Sequence, residues 1–354
     1  MKNSPAFLVS IPFTSGVAIG VALASCSAGI WPRQLSLLVF LVCLFLLLKG
    51  RKSDMLLTAL MFLSLGVFCF LLRDNDLHMQ IKSNTAENLI TPLKDSIRSA
   101  GFKGAHTNSL LQALMSGDRS GLDRNITEAF RKSGASHLLA LSGLHLGIIA
   151  SFLRAGLSVL GRSRTAEILR CVILITVSGL YCLACGASAS LVRAFLFILF
   201  GSIASLFKER RSTAVERLCW AATLQLGINP LVIKTPAFIL SYLAMIGVLV
   251  VAPWLESWYP SSRISRRYDP MLKIWKSVSL AVACQITTAP AVMLMFGTFP
   301  RYFMLTNLTA MPLCEILLPL ALLTLILGSP PFLTELTDKV ATLMIDCLEI
   351  IAEL

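Results

Sequence analysis

Four residues able to hydrogen-bond, move a proton or hold an anion fall in one short stretch that turns apolar: Arg131, His137, Ser142 and His145. A fifth, Arg193, sits in a later apolar run. Ser142 and His145 are three apart, which on a helix places them on one face. A serine beside a histidine is the beginning of a nucleophile–base pair. No acid stands nearby in sequence to orient the imidazole, and neighbours on one helix rarely reach triad geometry. The pair therefore reads as helix-to-helix hydrogen bonding or as the lining of a polar pathway, and no catalytic residue is expected. His137 and His145 are eight apart, so their directions on an ideal helix differ by about 80°. Two histidines without a third ligand make a weak metal site. Cys182-Leu183-Ala184-Cys185 is a lone CxxC with no second pair, so neither metal nor cofactor is expected. Arg193 has two readings. It could snorkel to an interface, or it could face a pore, hold a phosphate bidentately and let it move on. Gly143 and Gly147 form a small-xxx-small step suited to close helix packing.

Polar groups of this kind are costly in hydrocarbon and need partners, water or a function there. The composition says that hydrocarbon is where they are. The 354 residues are 56% hydrophobic and only 14% charged, with a mean hydropathy of +0.76. A soluble domain carries about 25% charged residues. Apolar runs close to the ~20 residues that span a bilayer recur along the chain. The expected fold is an all-α integral membrane protein, a polytopic helical bundle of about ten transmembrane helices. The spans fall near residues 7–28, 34–49, 55–72, 135–160, 168–186, 189–207, 213–229, 236–255, 275–297 and 303–327. The fourth carries His137, Ser142 and His145, and the sixth carries Arg193. Pro290 and Pro312 follow polar positions and suggest broken helices, which are tolerated where freed carbonyls face protein or a wet cavity. Most of the ten cysteines lie in apolar runs, where Cys behaves as a small hydrophobe.

The net charge of +12 is read first through the positive-inside rule. Lys49, Arg51 and Lys52 follow the second span, and Arg162, Arg164 and Arg170 the fourth. Lys208, Arg210, Arg211 and Arg217 follow the sixth, and Arg263, Arg266, Arg267, Lys273 and Lys276 the eighth. The alternate short connections hold only Arg33, Lys234 and Arg301. Ten spans with both termini cytoplasmic put every basic cluster inside. The long connection at 73–134 then lies outside, with an amphipathic helical piece at 109–132 interrupted by Gly117 and Gly121. Residues 333–354 have the period of an amphipathic helix, lying on the inner surface or against the bundle, or else an eleventh span. Leu23-Ala24-Ser25-Cys26 matches a lipoprotein signal, with Cys26 as the lipidated residue, but a first spanning helix is the preferred reading.

The run Gly117-Asp118-Arg119-Ser120-Gly121-Leu122, then Ala129-Phe130-Arg131 with Ser133-Gly134, then His137 through His145, closely resembles the signature of the ComEC family. These are inner-membrane DNA-uptake proteins of bacterial natural competence. Gly186-Ala187-Ser188-Ala189-Ser190-Leu191-Val192-Arg193-Ala194 is similar to the family's GASPSxxRA element, with Ala189 where Pro is usual. Asn229-Pro230 and Pro236 through Tyr242 resemble its DP…PxFQLSF element, with Ile239 where Gln is usual. Gln285 through Pro290, Phe296-Gly297 and Asn307 to Pro312 resemble its late pattern. The resemblance divides the chain into a three-span region with a short external loop (1–108), the competence transmembrane domain (109–330) and a C-terminal amphipathic helix (331–354). It implies a channel for single-stranded DNA in the bacterial inner membrane, with Arg131, His137, Ser142, His145 and Arg193 along the pathway. It also implies membrane lipid, a cytoplasmic DNA-translocating ATPase and an external DNA receptor as partners, with a homo-oligomer as a further option. Phe130 and Phe195 are available as stacking aromatics. No HxHxDH motif occurs, so the nuclease chemistry of the family's metallo-β-lactamase-like domain is not expected of this chain, which is not read as an enzyme. A transporter of a smaller solute and a shortened, inactive relative are the other readings left open.

Overall fold

The computed structural model describes residues 4–25, 31–49, 55–74, 84–161, 163–207, 212–259, 269–297 and 302–354. Cys26 and most of the basic loop residues named above lie outside them. Every regular element among the described residues is helical. They are α1 (Pro5–Ser25), α2 (Trp31–Lys49), α3 (Met55–Asp74), α4 (Asn84–Ser99), α5 (Thr107–Ser116), α6 (Arg124–Lys132), α7 (Ser136–Leu139) and α8 (Gly143–Gly156). There follow α9 (Arg164–Ala184), α10 (Ala189–Leu206), α11 (Ala214–Ile228), α12 (Pro236–Ile246), α13 (Ala252–Glu256), α14 (Pro270–Phe296), α15 (Phe303–Ile326) and α16 (Pro331–Glu353). Nine helical stretches among the described residues are long and apolar enough to cross a membrane. They bury at most a third of their most apolar window, so the remaining apolar surface faces outward, as lipid contact requires.

The expected span at 213–229 is the one that falls short. The Thr213–Glu216 capping box starts α11 and Asn229-Pro230 ends it, which leaves 15 residues. At 1.5 Å per residue that is about 22 Å of helix against a hydrocarbon core of about 30 Å.

The chain forms two compact units. One contains residues 1–82 and 199–239. In it α1 and α3 cross at small residues: a Cβ on Gly16 would strike the Leu63 carbonyl oxygen, and one on Gly66 the Phe13 carbonyl oxygen. The backbones approach as glycines allow in membrane helix pairs. Thr223 Oγ1 donates to Ser10 Oγ at 2.7 Å, which ties α11 to α1.

The other unit contains residues 83–198 and 240–354. Its core joins α4 through α7 to α15 and α16, with Ile97, Leu114, Phe130, Leu138, Leu317, Met344 and Leu348 packed together. The segment at 107–132 thus forms α5 and α6, broken at Gly117, which takes φ +77° as the left-handed residue that ends α5. Phe130 is fully buried in this core and offers no stacking surface. Helix α16 lies against the bundle, burying Thr337, Ala341, Met344 and Leu348. Its Thr337 hydroxyl meets that of Thr324 on α15 at 3.1 Å. Pro253 follows a π-helical turn, Gly247–Val251, that links α12 to α13. Gly247 sits there against α14, where a Cβ would be 2.7 Å from the Ala283 carbonyl oxygen.

Candidate functional site: a broken helix beside a buried arginine

The fourth apolar stretch is not the continuous helix its hydropathy suggests. It folds as α7, an extended turn at Ala140 (φ −77°, ψ 123°), and α8. His137 and His145 therefore sit on different helices, and the angle expected between them does not apply. Nor do Ser142 and His145 share a helix face. Ser142 is the N-cap of α8 and His145 its third residue, and the two close a capping box. Ser142 N–H donates to His145 Nδ1 at 3.2 Å, and Leu144 N–H donates to Ser142 Oγ at 3.3 Å. The Ser142 hydroxyl lies 3.0 Å from the same Nδ1. A ring nitrogen that accepts from a backbone N–H carries no proton, so these bonds assign the proton to Nε2. His145 is fully buried, and Nε2 has no hydrogen-bond partner among the described residues. The Ser–His spacing is that of a nucleophile and base. The serine hydroxyl is spent on the cap, however, and among the described residues no third group orients the imidazole.

Breaking a helix frees carbonyls, and a buried carbonyl needs a donor. Arg119 Nε donates to the Leu139 carbonyl oxygen at 3.2 Å. Ser190 Oγ donates to that of Leu141 at 3.1 Å. Both donors come from the two signature loops. Arg119 is carried by the turn after α5, where Asp118 accepts from Lys94 of α4 at 2.6 Å and from the Ser120 hydroxyl at 2.6 Å. Lys94 and Ser120 hold the Asp118 carboxyl well below the usual carboxylate range. Ser190 opens α10. The missing proline at Ala189 does not remove the break before α10, because Gly186 (φ +76°) and Ala187 (φ +47°) turn the chain there. Nearby, Tyr181 Oη donates to the Met115 carbonyl oxygen at 2.8 Å, joining the end of α9 to α5.

Arg193 is only 7% exposed. Among the described residues its Nε has no hydrogen-bond partner, and no carboxylate pairs with the guanidinium. The guanidinium lies over the first residue of α8: a Cβ on Gly143 would collide with Arg193 Nη2 and stand 3.1 Å from Ala194 Cβ. Gly143 is thus a place of close approach. Gly147 is not, for a Cβ there meets nothing within 4 Å. Arg193, Ser142, His145 and Gly143 come together at the break. Arg131 and His137 do not join them: Arg131 is exposed on α6, 3.6 Å from Glu128, and His137 is exposed with Nδ1 at 3.1 Å from the Gly134 carbonyl oxygen. Sequence reasoning missed Arg119 and Ser190 as clamps of the break. Both lie in the quoted signatures, but which carbonyl each would reach is tertiary information.

The family of sequences described as "Competence protein" matches residues 114–354, a range that includes the break, Ser190 and Arg193. The chain belongs to the competence protein family. With nine helices among the described residues long and apolar enough to cross a bilayer, this competence protein is a multi-pass membrane protein. It is 32% identical over 155 residues to ComE operon protein 3 of Bacillus subtilis (strain 168). That match takes in 41% of the chain and 19% of the relative, so it spans about a fifth of the relative's length. No solved structure matches the chain.

Proposed function

We propose that this competence protein is a conduit that carries single-stranded DNA across the bacterial inner membrane during natural transformation. Family membership supports a part in competence. The observation that carries the finer reading is Arg193, buried to 7% exposure with no carboxylate beside it among the described residues. An uncompensated charge inside an apolar bundle is costly, and a mobile anion is what would offset that cost. A DNA strand presents one negative charge at each phosphate. A conducting path needs sites that attract without trapping, and one arginine, rather than a cluster, fits that need.

In this reading the chain performs no reaction, and transport is driven by a cytoplasmic DNA-translocating ATPase that receives strand from an external DNA receptor. The N-terminus faces the cytoplasm in this reading, as the basic residues after the second and fourth spans suggest. Arg193→Ala is expected to lower entry of labelled DNA into cells while the protein still reaches the membrane. Unchanged entry at normal protein level would remove Arg193 from the pathway.

A further inference from the structure

We propose that the N-terminus of α8 and the Arg193 guanidinium together form a binding site for one singly charged phosphodiester. Identifying that phosphodiester with a DNA strand rests on the conduit reading above. Helix α8 is 14 residues long, and its first turn carries the partial positive charge of a helix N-terminus. The capping box takes the N–H groups of Ser142, Leu144 and His145. The N–H of Gly143 has no acceptor within the helix, and Gly143 is the residue the guanidinium lies against. The missing Cβ brings the arginine to the helix end.

Two further donors at this turn are buried and, among the described residues, unpartnered: Arg193 Nε and His145 Nε2. Donors gathered without acceptors call for an anion. Helix N-termini with a free N–H are ordinary phosphate seats, and the guanidinium fork matches two phosphoryl oxygens. One guanidinium without an acid balances a charge of minus one, the charge of a phosphodiester rather than of a monoester dianion. The contacts involve no base, so the site takes any sequence.

A DNA strand and an anionic phospholipid both supply this group. The test uses the full chain in a maltoside detergent, which contains no phosphate, with retained ligand read by native mass spectrometry. The probes are a short oligodeoxythymidylate, its uncharged methylphosphonate analogue, and phosphatidylglycerol. The charged oligonucleotide is expected to bind at least about tenfold more tightly than the analogue, the size of one lost charge-assisted contact. Arg193→Gln and Gly143→Ala should each weaken binding by a similar factor, the second by driving the guanidinium off the helix end. Gly147→Ala, with open space around its Cβ, should bind as the unaltered protein does. Retained helicity and a monodisperse elution profile qualify each variant, and Gly143→Ala tests the site should Arg193→Gln not fold. Binding of phosphatidylglycerol alone, lost in the same variants, supports the phosphodiester site and contradicts the strand conduit. Equal binding by folded Arg193→Gln or folded Gly143→Ala, or equal binding of the uncharged analogue, would overturn the proposal.

Discussion

Ser142 and His145 show how a polar pair that stands out in the sequence can still be misplaced. Their spacing fits one helix face, and nothing local says that the helix stops at Leu139. The usual capping-box pattern has Glu or Gln at its third helical position. Here a histidine fills it, so the N-terminus signal was hidden in an apolar run. Arg193 was legible because a charge among apolar residues stands out. Its neighbour Gly143 was legible as a close contact, though the partner is an arginine rather than a helix backbone. Asp118 ties stability to pH. Lys94 and then Ser120 depress its pKa in the folded protein, so its contribution is present above the unfolded value of about 4 and is lost as pH falls through the folded one. Asp118→Asn should lower the melting temperature in detergent at neutral pH. The difference from the unaltered protein should shrink as pH is taken from about 5 towards 3. A difference that stayed constant with pH would rule out the ion pair as its source.

At the scale of elements, the break between α7 and α8 is the feature that gathers the site, and it is held from outside. Arg119 and Ser190 take the carbonyls of Leu139 and Leu141. Removing either donor leaves a poorly solvated carbonyl, a cost of about 1–3 kcal/mol. Arg119→Ala and Ser190→Ala are each expected to lower thermal stability by that amount and to reduce DNA entry with it. Unaltered stability in both would mean the break needs no clamp. Helix α16 was legible as an amphipathic period, but its partners α5 and α6 were not, since they lie about 200 residues from it in sequence. The structure makes it a core helix. Met344 is fully buried there, so Met344→Ala should cost about 2–5 kcal/mol in a chemical or thermal melt. A surface helix would lose almost nothing.

For the whole molecule, hydropathy located the nine helices of membrane length found among the described residues, because a bilayer imposes a minimum apolar run that few other structures need. It failed at α11, where the capping box and Asn229-Pro230 limit the helix to 15 residues. The separation into two units also left no mark in composition, since residues 199–239 join the first unit across a long stretch of chain. The central claim is that this bundle passes DNA. The direct measurement is nuclease-protected, labelled DNA inside cells with the gene, without it, and with the deletion complemented. The account predicts that protected DNA disappears in the deletion, returns with the unaltered gene, and stays low with Arg193→Ala at equal protein level. Normal protected DNA in the deletion strain would contradict it.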